Sequence, residues 1–77
     1  MNDKLKKVLQ EVFDLKEIDI HLTKEDITKW DSLAQMDLVT SLEREFDIIL
    51  EIEDIVAISS IKSICEVLKS KGIKIDN

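Results

Sequence analysis

Ser32 is the side chain of this sequence best placed to take part in chemistry. It stands where an irregular polar segment gives way to a helical pattern, in the run Trp30, Asp31, Ser32, Leu33. Ser32 and Gln35 fit an S-x-x-Q capping box, in which the hydroxyl accepts a hydrogen bond from the amide three residues on. The other possible role is an attachment point for a group delivered by another protein. No His, Lys or second carboxylate is spaced to act as the general base of Ser32, so no catalytic residue is predicted.

Two other residue types that often carry chemistry, His21 and Cys65, are predicted to be structural. His21 lies in a loop without a second ligand, so no metal site is expected. Cys65 falls within an apolar stripe, and nothing nearby supplies the positive field that activates a thiol. A single cysteine cannot form an intramolecular disulfide, and the N-terminus has no apolar targeting segment. The longest apolar run, 55–58, is far too short to span a membrane, so we expect a soluble, cytoplasmic protein.

The acidic residues are concentrated in one segment. The formal net charge is −6, and residues 37–54, with seven carboxylates and Arg44 alone, account for all of it. Such a segment repels nucleic acid and anionic lipid, and it attracts basic protein surfaces. The sequence therefore gives no support for nucleic-acid binding. An acidic, solvated face without a partner is the alternative interpretation.

The composition predicts an all-α bundle of four helices in a single domain over residues 1–77. The chain has no Pro, one Gly and no Tyr, and so lacks the turn residues that many short strands require. Its length is near the lower limit for one hydrophobic core without disulfides or metals. We expect the chain to be a monomer.

Apolar periodicity and capping residues predict the order of the helices. A first helix, capped by Asn2 or Asp3, carries the stripe Leu5, Val8, Leu9, Val12 and Phe13. A long loop follows over 14–29, with room for a short helical turn at 23–27. The second helix is predicted from Asp31 or Ser32 to Phe46, and a short third helix over 54–58. The fourth is capped by Ser59 or Ser60 and stops at Gly72.

The second helix carries two separate apolar stripes when its residues are placed about 100° apart. Measured around the helix axis from Leu33, one group of side chains falls within an arc of about 140° to 240°, which is typical of a core-facing stripe. This group is Leu38, Val39, Leu42 and Phe46. Leu33, Met36 and Thr40 fall on the opposite side and cannot enter the same core. Asp37 and Glu43 bracket this second stripe. An exposed apolar strip with acidic edges beside a serine is typical of a protein-recognition surface.

These residues resemble those of the acyl carrier proteins and related carrier domains. The Asp31-Ser32-Leu33 opening of an acidic helix carries the resemblance, together with Leu38, Val39, Leu42, Glu43, Glu45 and Phe46. The helix order and the chain length extend it over the whole sequence.

The resemblance implies that Ser32 receives a 4′-phosphopantetheine group from coenzyme A. A separate holo-carrier synthase, which is a phosphopantetheinyl transferase that uses Mg²⁺, would transfer it. The group would then carry an acyl or aminoacyl cargo as a thioester, so the chain would be a carrier and not an enzyme. By the same resemblance, the synthase is expected to recognise five residues around Ser32, namely Asp31, Leu33, Met36, Asp37 and Glu43. The acyl-loading and acyl-transfer enzymes, which have basic docking surfaces, would recognise the same residues.

Three departures from fatty-acid carriers favour a stand-alone carrier outside primary fatty-acid synthesis. Trp30 replaces the usual small residue before Asp31, and Ala34 replaces an acid. The second helix contains Arg44 and Thr40, and the linker after it lacks a proline. Polyketide, nonribosomal peptide, D-alanylation and surface-glycan pathways use such carriers. A carrier of fatty-acid synthesis is one alternative, and an acidic helical interaction module with Ser32 as a simple cap is the other.

Overall fold

Four α-helices form the framework of the protein. The computed structural model describes residues 1–75, with α1 at Asp3–Phe13, α2 at Ser32–Phe46, α3 at Ile52–Ala57 and α4 at Ile61–Ser70. Helix α1 packs against α2, and α3 packs against α4. Within the described range no strand forms, and Thr23 and Ser60 make an isolated antiparallel bridge. The predicted all-α architecture, with a long first loop and a short third helix, is confirmed.

The helix ends follow capping chemistry. The Asn2 side chain accepts from the amides of Lys4 and Leu5 and so caps α1, and Ser60 caps α4 by accepting from the Ser63 amide. Gly72, at φ +87°, lies just beyond α4 in the left-handed region that glycine adopts without strain. Of the two caps that the sequence allowed for each helix, Asn2 caps α1 and Ser60 caps α4.

Helix α3 begins and ends earlier than the predicted range of 54–58. It runs from Ile52 to Ala57 and starts after Glu51. Asp54 is the third helical residue rather than the first, and its carboxylate accepts from the Glu51 amide at 2.9 Å. An aspartate is common both at the start of a helix and at its third position, where the carboxylate bonds back to the amide of the cap. The sequence pattern therefore predicts that α3 starts at Asp54, although this residue lies at the third position.

The long first loop is attached to the start of α4. The amide of Ile61 donates to the Leu22 carbonyl, and the amide of Lys24 donates to the Ser59 carbonyl. At 23–27 the chain makes the predicted single turn, in which the amides of Asp26 and Ile27 donate to the Thr23 carbonyl. The Asp26 carboxylate accepts from both the amide and the hydroxyl of Thr23. These bonds, the amide first, hold the pKa of Asp26 below its ordinary value.

The core lies between α1, α2 and α4, and the long loop adds residues to it. Ile27 and Trp30 from the loop are buried, and so is Cys65, as predicted. The side chains that exclude solvent most completely are Leu5, Leu9, Phe13, Leu38, Leu42, Ile58, Ile61, Ile64 and Leu68. The start of α2 is therefore held over a packed core, which fixes the position of Ser32.

Candidate functional site

Ser32 is the first residue of α2, and its side chain is exposed. The helix is capped by Asp31, whose carboxylate accepts from the Ala34 amide at 2.9 Å. The predicted capping box of Ser32 and Gln35 is therefore wrong. Asp31 has the extended backbone that a cap requires, and an aspartate caps a helix as well as a serine does. The hydroxyl of Ser32 consequently makes no hydrogen bond to any residue within 1–75.

The start of α2 suits a negatively charged group next to Ser32. The first turn of a helix presents amides that lack acceptors within the helix, and the helix dipole places partial positive charge there. Asp31 satisfies the Ala34 amide, and no acidic residue lies in the first turn of α2. The amides and the dipole favour a phosphodiester at Ser32, and the neighbouring carboxylate of Asp31 partly offsets this field.

The two predicted stripes of α2 are both present. Leu38, Val39 and Leu42 are buried, whereas Leu33 is 82% and Met36 58% exposed. Thr40 continues the exposed strip, and its hydroxyl donates to the Met36 carbonyl at 2.9 Å. Ser32 therefore lies at one end of an apolar strip that faces solvent.

The acidic residues beside this strip differ in their surroundings. Asp37 is exposed and receives a long 3.5 Å hydrogen bond from the hydroxyl of Ser41. Glu43 is half-buried, and its carboxylate accepts from the Leu50 amide at 2.9 Å, which ties the α2–α3 linker to α2. Arg44 is exposed and forms no ion pair with Asp37 in the described chain. Four of the five predicted recognition residues are thus on the surface, and Glu43 also supports the fold.

The nearest buried residue before Ser32 is Trp30. Its ring packs on Phe13 of α1, with the ring centroids 4.7 Å apart and the planes at 35°. Its indole N–H donates to Gln35 Oε1 at 2.6 Å, and Gln35 Nε2 donates to the Ile55 carbonyl of α3 at 3.2 Å. These contacts were not predicted, although Gln35 lies at about 200° from Leu33 around the helix axis, in the middle of the core-facing arc of α2.

A family model for the phosphopantetheine attachment site matches residues 3–68. The chain belongs to this family of phosphopantetheine-binding carrier proteins. Its fold is also similar to that of a candidate acyl carrier protein from Mycobacterium tuberculosis, with a TM-score of 0.77 and 24% sequence identity over 87% of this chain and 92% of that one. No curated protein matched the sequence. The cofactor of the carrier is 4′-phosphopantetheine, and its partners include a phosphopantetheinyl transferase and enzymes that handle acyl groups.

The residues of the carrier fit this cofactor at the start of α2. A phosphopantetheine attachment needs a hydroxyl that another protein can reach, and the Ser32 hydroxyl is exposed and has no bond to break. When bound, the group supplies a thiol that carries acyl groups as thioesters. Among residues 1–75 no group of three or more His, Cys, Asp or Glu side chains could hold a metal ion. No helix in this range is long and apolar enough to cross a membrane.

A second exposed apolar surface of the carrier was not predicted. Ile49 in the linker and Ile52 and Val56 on α3 are each at least 75% exposed. The sequence signal was present, because the short segment around α3 holds more apolar residues than a six-residue helix can bury.

Proposed function

We propose that Ser32 is the residue that receives 4′-phosphopantetheine, and that the chain presents acyl or aminoacyl groups as thioesters on it. The observation that carries the proposal is the place of the Ser32 hydroxyl, which the Asp31-Ser32-Leu33 opening of α2 puts at the first helical position. This hydroxyl is exposed and has no hydrogen bond in the described chain, while the neighbouring Asp31 caps the helix. The family match over residues 3–68 supports the same assignment.

Modification forms one bond and breaks another. The Ser32 oxygen forms a phosphoester bond to the pantetheine-bearing phosphate of coenzyme A, and the pyrophosphate bond breaks, so that adenosine 3′,5′-bisphosphate leaves with the electron pair. The hydroxyl proton goes to a base of the transferase, because none is hydrogen-bonded to Ser32 in residues 1–75. The chain itself contributes position, which Asp31 provides by fixing the helix start.

The same surface would dock the partner enzymes. Leu33 and Met36 offer an apolar strip, while Asp31, Asp37 and Glu43 provide negative charge for the basic docking surfaces of the Mg²⁺-dependent transferase and of acyl-loading and acyl-transfer enzymes. The chain would act as one monomeric carrier domain and as a substrate of these enzymes, not as an enzyme. The lone buried Cys65 fits a reducing compartment such as the cytoplasm.

The pathway we infer is one outside primary fatty-acid synthesis, with synthesis of fatty acids as the alternative. The Trp30 and Ala34 flanks of the Asp-Ser-Leu opening support this inference. The thioester on protein purified from its native host would test it, by fragmentation in a mass spectrometer. A series of growing saturated and β-keto acyl chains would instead favour the fatty-acid alternative.

Intact-mass spectrometry tests the attachment. The chain is incubated with coenzyme A, Mg²⁺ and a broad-specificity phosphopantetheinyl transferase, and we expect it to gain the mass of one phosphopantetheinyl group. Ser32→Ala should abolish the gain. Ser59→Ala is the matched control, because Ser59 is also exposed and lies just before a helix, and its hydroxyl makes no hydrogen bond in the described range. An unmodified wild-type chain, under conditions that modify a known carrier, would refute the proposal.

A further inference from the structure

Helix α3 gains little stability from burial of its own residues. It has six residues, none of them buried. A helix this short is not stable alone in water, because its nucleation cost is not recovered within so few residues. Its position therefore depends on contacts with the rest of the bundle, which include the packing of half-buried Ile55 against the core and the buried residues Leu50 and Ile58 on either side.

Within residues 1–75, two polar contacts attach α3 to the rest of the bundle. On one side Asp54 pairs with Lys71, just beyond α4, at 2.8 Å. On the other side Gln35 of α2 donates to the Ile55 carbonyl at 3.2 Å. Gln35 lies one helical turn after Ser32, so the second contact joins α3 to the segment that carries Ser32.

Gln35 is itself held in place. Its amide oxygen accepts from the indole of Trp30 at 2.6 Å, and the Trp30 ring packs on Phe13 of α1. The side-chain amide therefore uses its oxygen toward Trp30 and its nitrogen toward α3. A glutamine satisfies both contacts because it carries one acceptor and one donor on the same group.

We propose that Gln35 is a positioning residue for modification of Ser32, which holds α3 against the start of α2 so that both helices present one preformed surface to the transferase. This proposal rests on the proposed function. Leu33 and Met36 on α2, and Ile52 and Val56 on α3, are exposed and would supply the apolar side chains of this surface. A helix that is already in place costs the partner less ordering entropy on binding.

The expected kinetic effect is on KM. If the transferase binds only molecules in which α3 is docked, its apparent affinity for the carrier is proportional to the fraction of molecules with α3 docked. Loss of the Gln35 contact should raise KM by about two- to tenfold, with the upper limit set by the equilibrium factor of one net hydrogen bond. The value of kcat should not change, because Asp31 still fixes the helix start at Ser32.

Two substitutions separate the contacts of Gln35. Gln35→Glu keeps an oxygen that accepts from Trp30 but cannot donate to the Ile55 carbonyl, and Gln35→Met removes both bonds at similar length. Gln10→Glu on α1 is the matched control, because it makes the same change of atoms and charge. The Gln10 side chain has no hydrogen bond in the described chain.

Two measurements on each variant decide the proposal. Amide hydrogen exchange on the apo protein should be faster across 51–58 in both Gln35 variants and unchanged in α1. Steady-state modification kinetics should show the higher KM at unchanged kcat in the same two variants, and wild-type values in the Gln10→Glu control. Gln35→Glu should also keep the wild-type Trp30 fluorescence, which Gln35→Met should change.

Other outcomes overturn the proposal. Unchanged exchange across 51–58 would show that Gln35 does not hold α3. Faster exchange with an unchanged KM would show a purely structural contact, and a loss confined to kcat would place the effect in the chemical step. If the wild-type chain is not modified at all, the proposed function fails and the positioning role with it, while the exchange data still report on the contact to α3.

Discussion

Asp31 and Ser32 are neighbours, but only Asp31 should contribute to the stability of α2. The Asp31 carboxylate accepts from the Ala34 amide at 2.9 Å, and replacing a capping aspartate by alanine costs about 1 kcal/mol, within a range of roughly 0.5–2. Ser32 occupies the first helical position without a hydrogen bond in residues 1–75, so Ser32→Ala should change stability by about 0 to 0.5 kcal/mol in the stabilising direction.

Thermal unfolding of the apo protein, followed by far-UV circular dichroism, measures this difference. For a domain of this size, about 1 kcal/mol corresponds to roughly 4–8 °C in Tm, which is easily resolved. Asp31→Asn is the matched control, since asparagine keeps a capping oxygen and should lose little. If Ser32→Ala is destabilised as much as Asp31→Ala, then Ser32 is the true cap and the separation of roles is refuted.

Three further predictions concern the contacts around this site. The hydrogen bond from Lys71 lowers the pKa of Asp54 below its ordinary 3.8. The contribution of the ionised Asp54 to folding stability is therefore present above pH 3.8 and is lost as the pH falls through the lowered folded-state pKa. The difference in unfolding free energy between wild type and Asp54→Asn should shrink when stability is measured at successively lower pH. Trp30→Phe keeps an aromatic ring beside Phe13 but loses the indole donor, and should cost about 1 kcal/mol in urea unfolding. Glu43→Ala leaves the Leu50 amide unpaired and should cost about 1–3 kcal/mol, with faster amide exchange in the linker.

The helix order and the two faces of α2 could be predicted because they depend on local periodicity. Leu38 and Leu42 repeat at helical spacing, and Leu33 and Met36 lie about opposite them, so burial of one stripe requires exposure of the other. The fourth helix was equally clear, since a serine cap and Gly72 mark its two ends.

The attachment of α3 could not be predicted, because it depends on residues far apart in the sequence. Gln35 and Ile55 come together only when α2 and α3 are already packed. Trp30 was noted as a departure from fatty-acid carriers, but its packing on Phe13 also requires the folded loop. The spacing of apolar residues along the sequence predicts a helix or a strand, whereas a single hydrogen bond between two helices produces no repeating pattern in the sequence.

The capping prediction for Ser32 was wrong for a reason that bears on function. Ser32 and Gln35 have the right spacing for a capping box, yet Asp31 accepts the amide bond and Gln35 faces Trp30 and α3. A hydroxyl engaged as a cap would share one oxygen lone pair with a backbone amide and would be a weaker nucleophile for attachment of a group. Because the structural contacts are made by the residues on either side, a covalent group on Ser32 replaces no native hydrogen bond of the described chain. The same fold can therefore serve the carrier before and after modification.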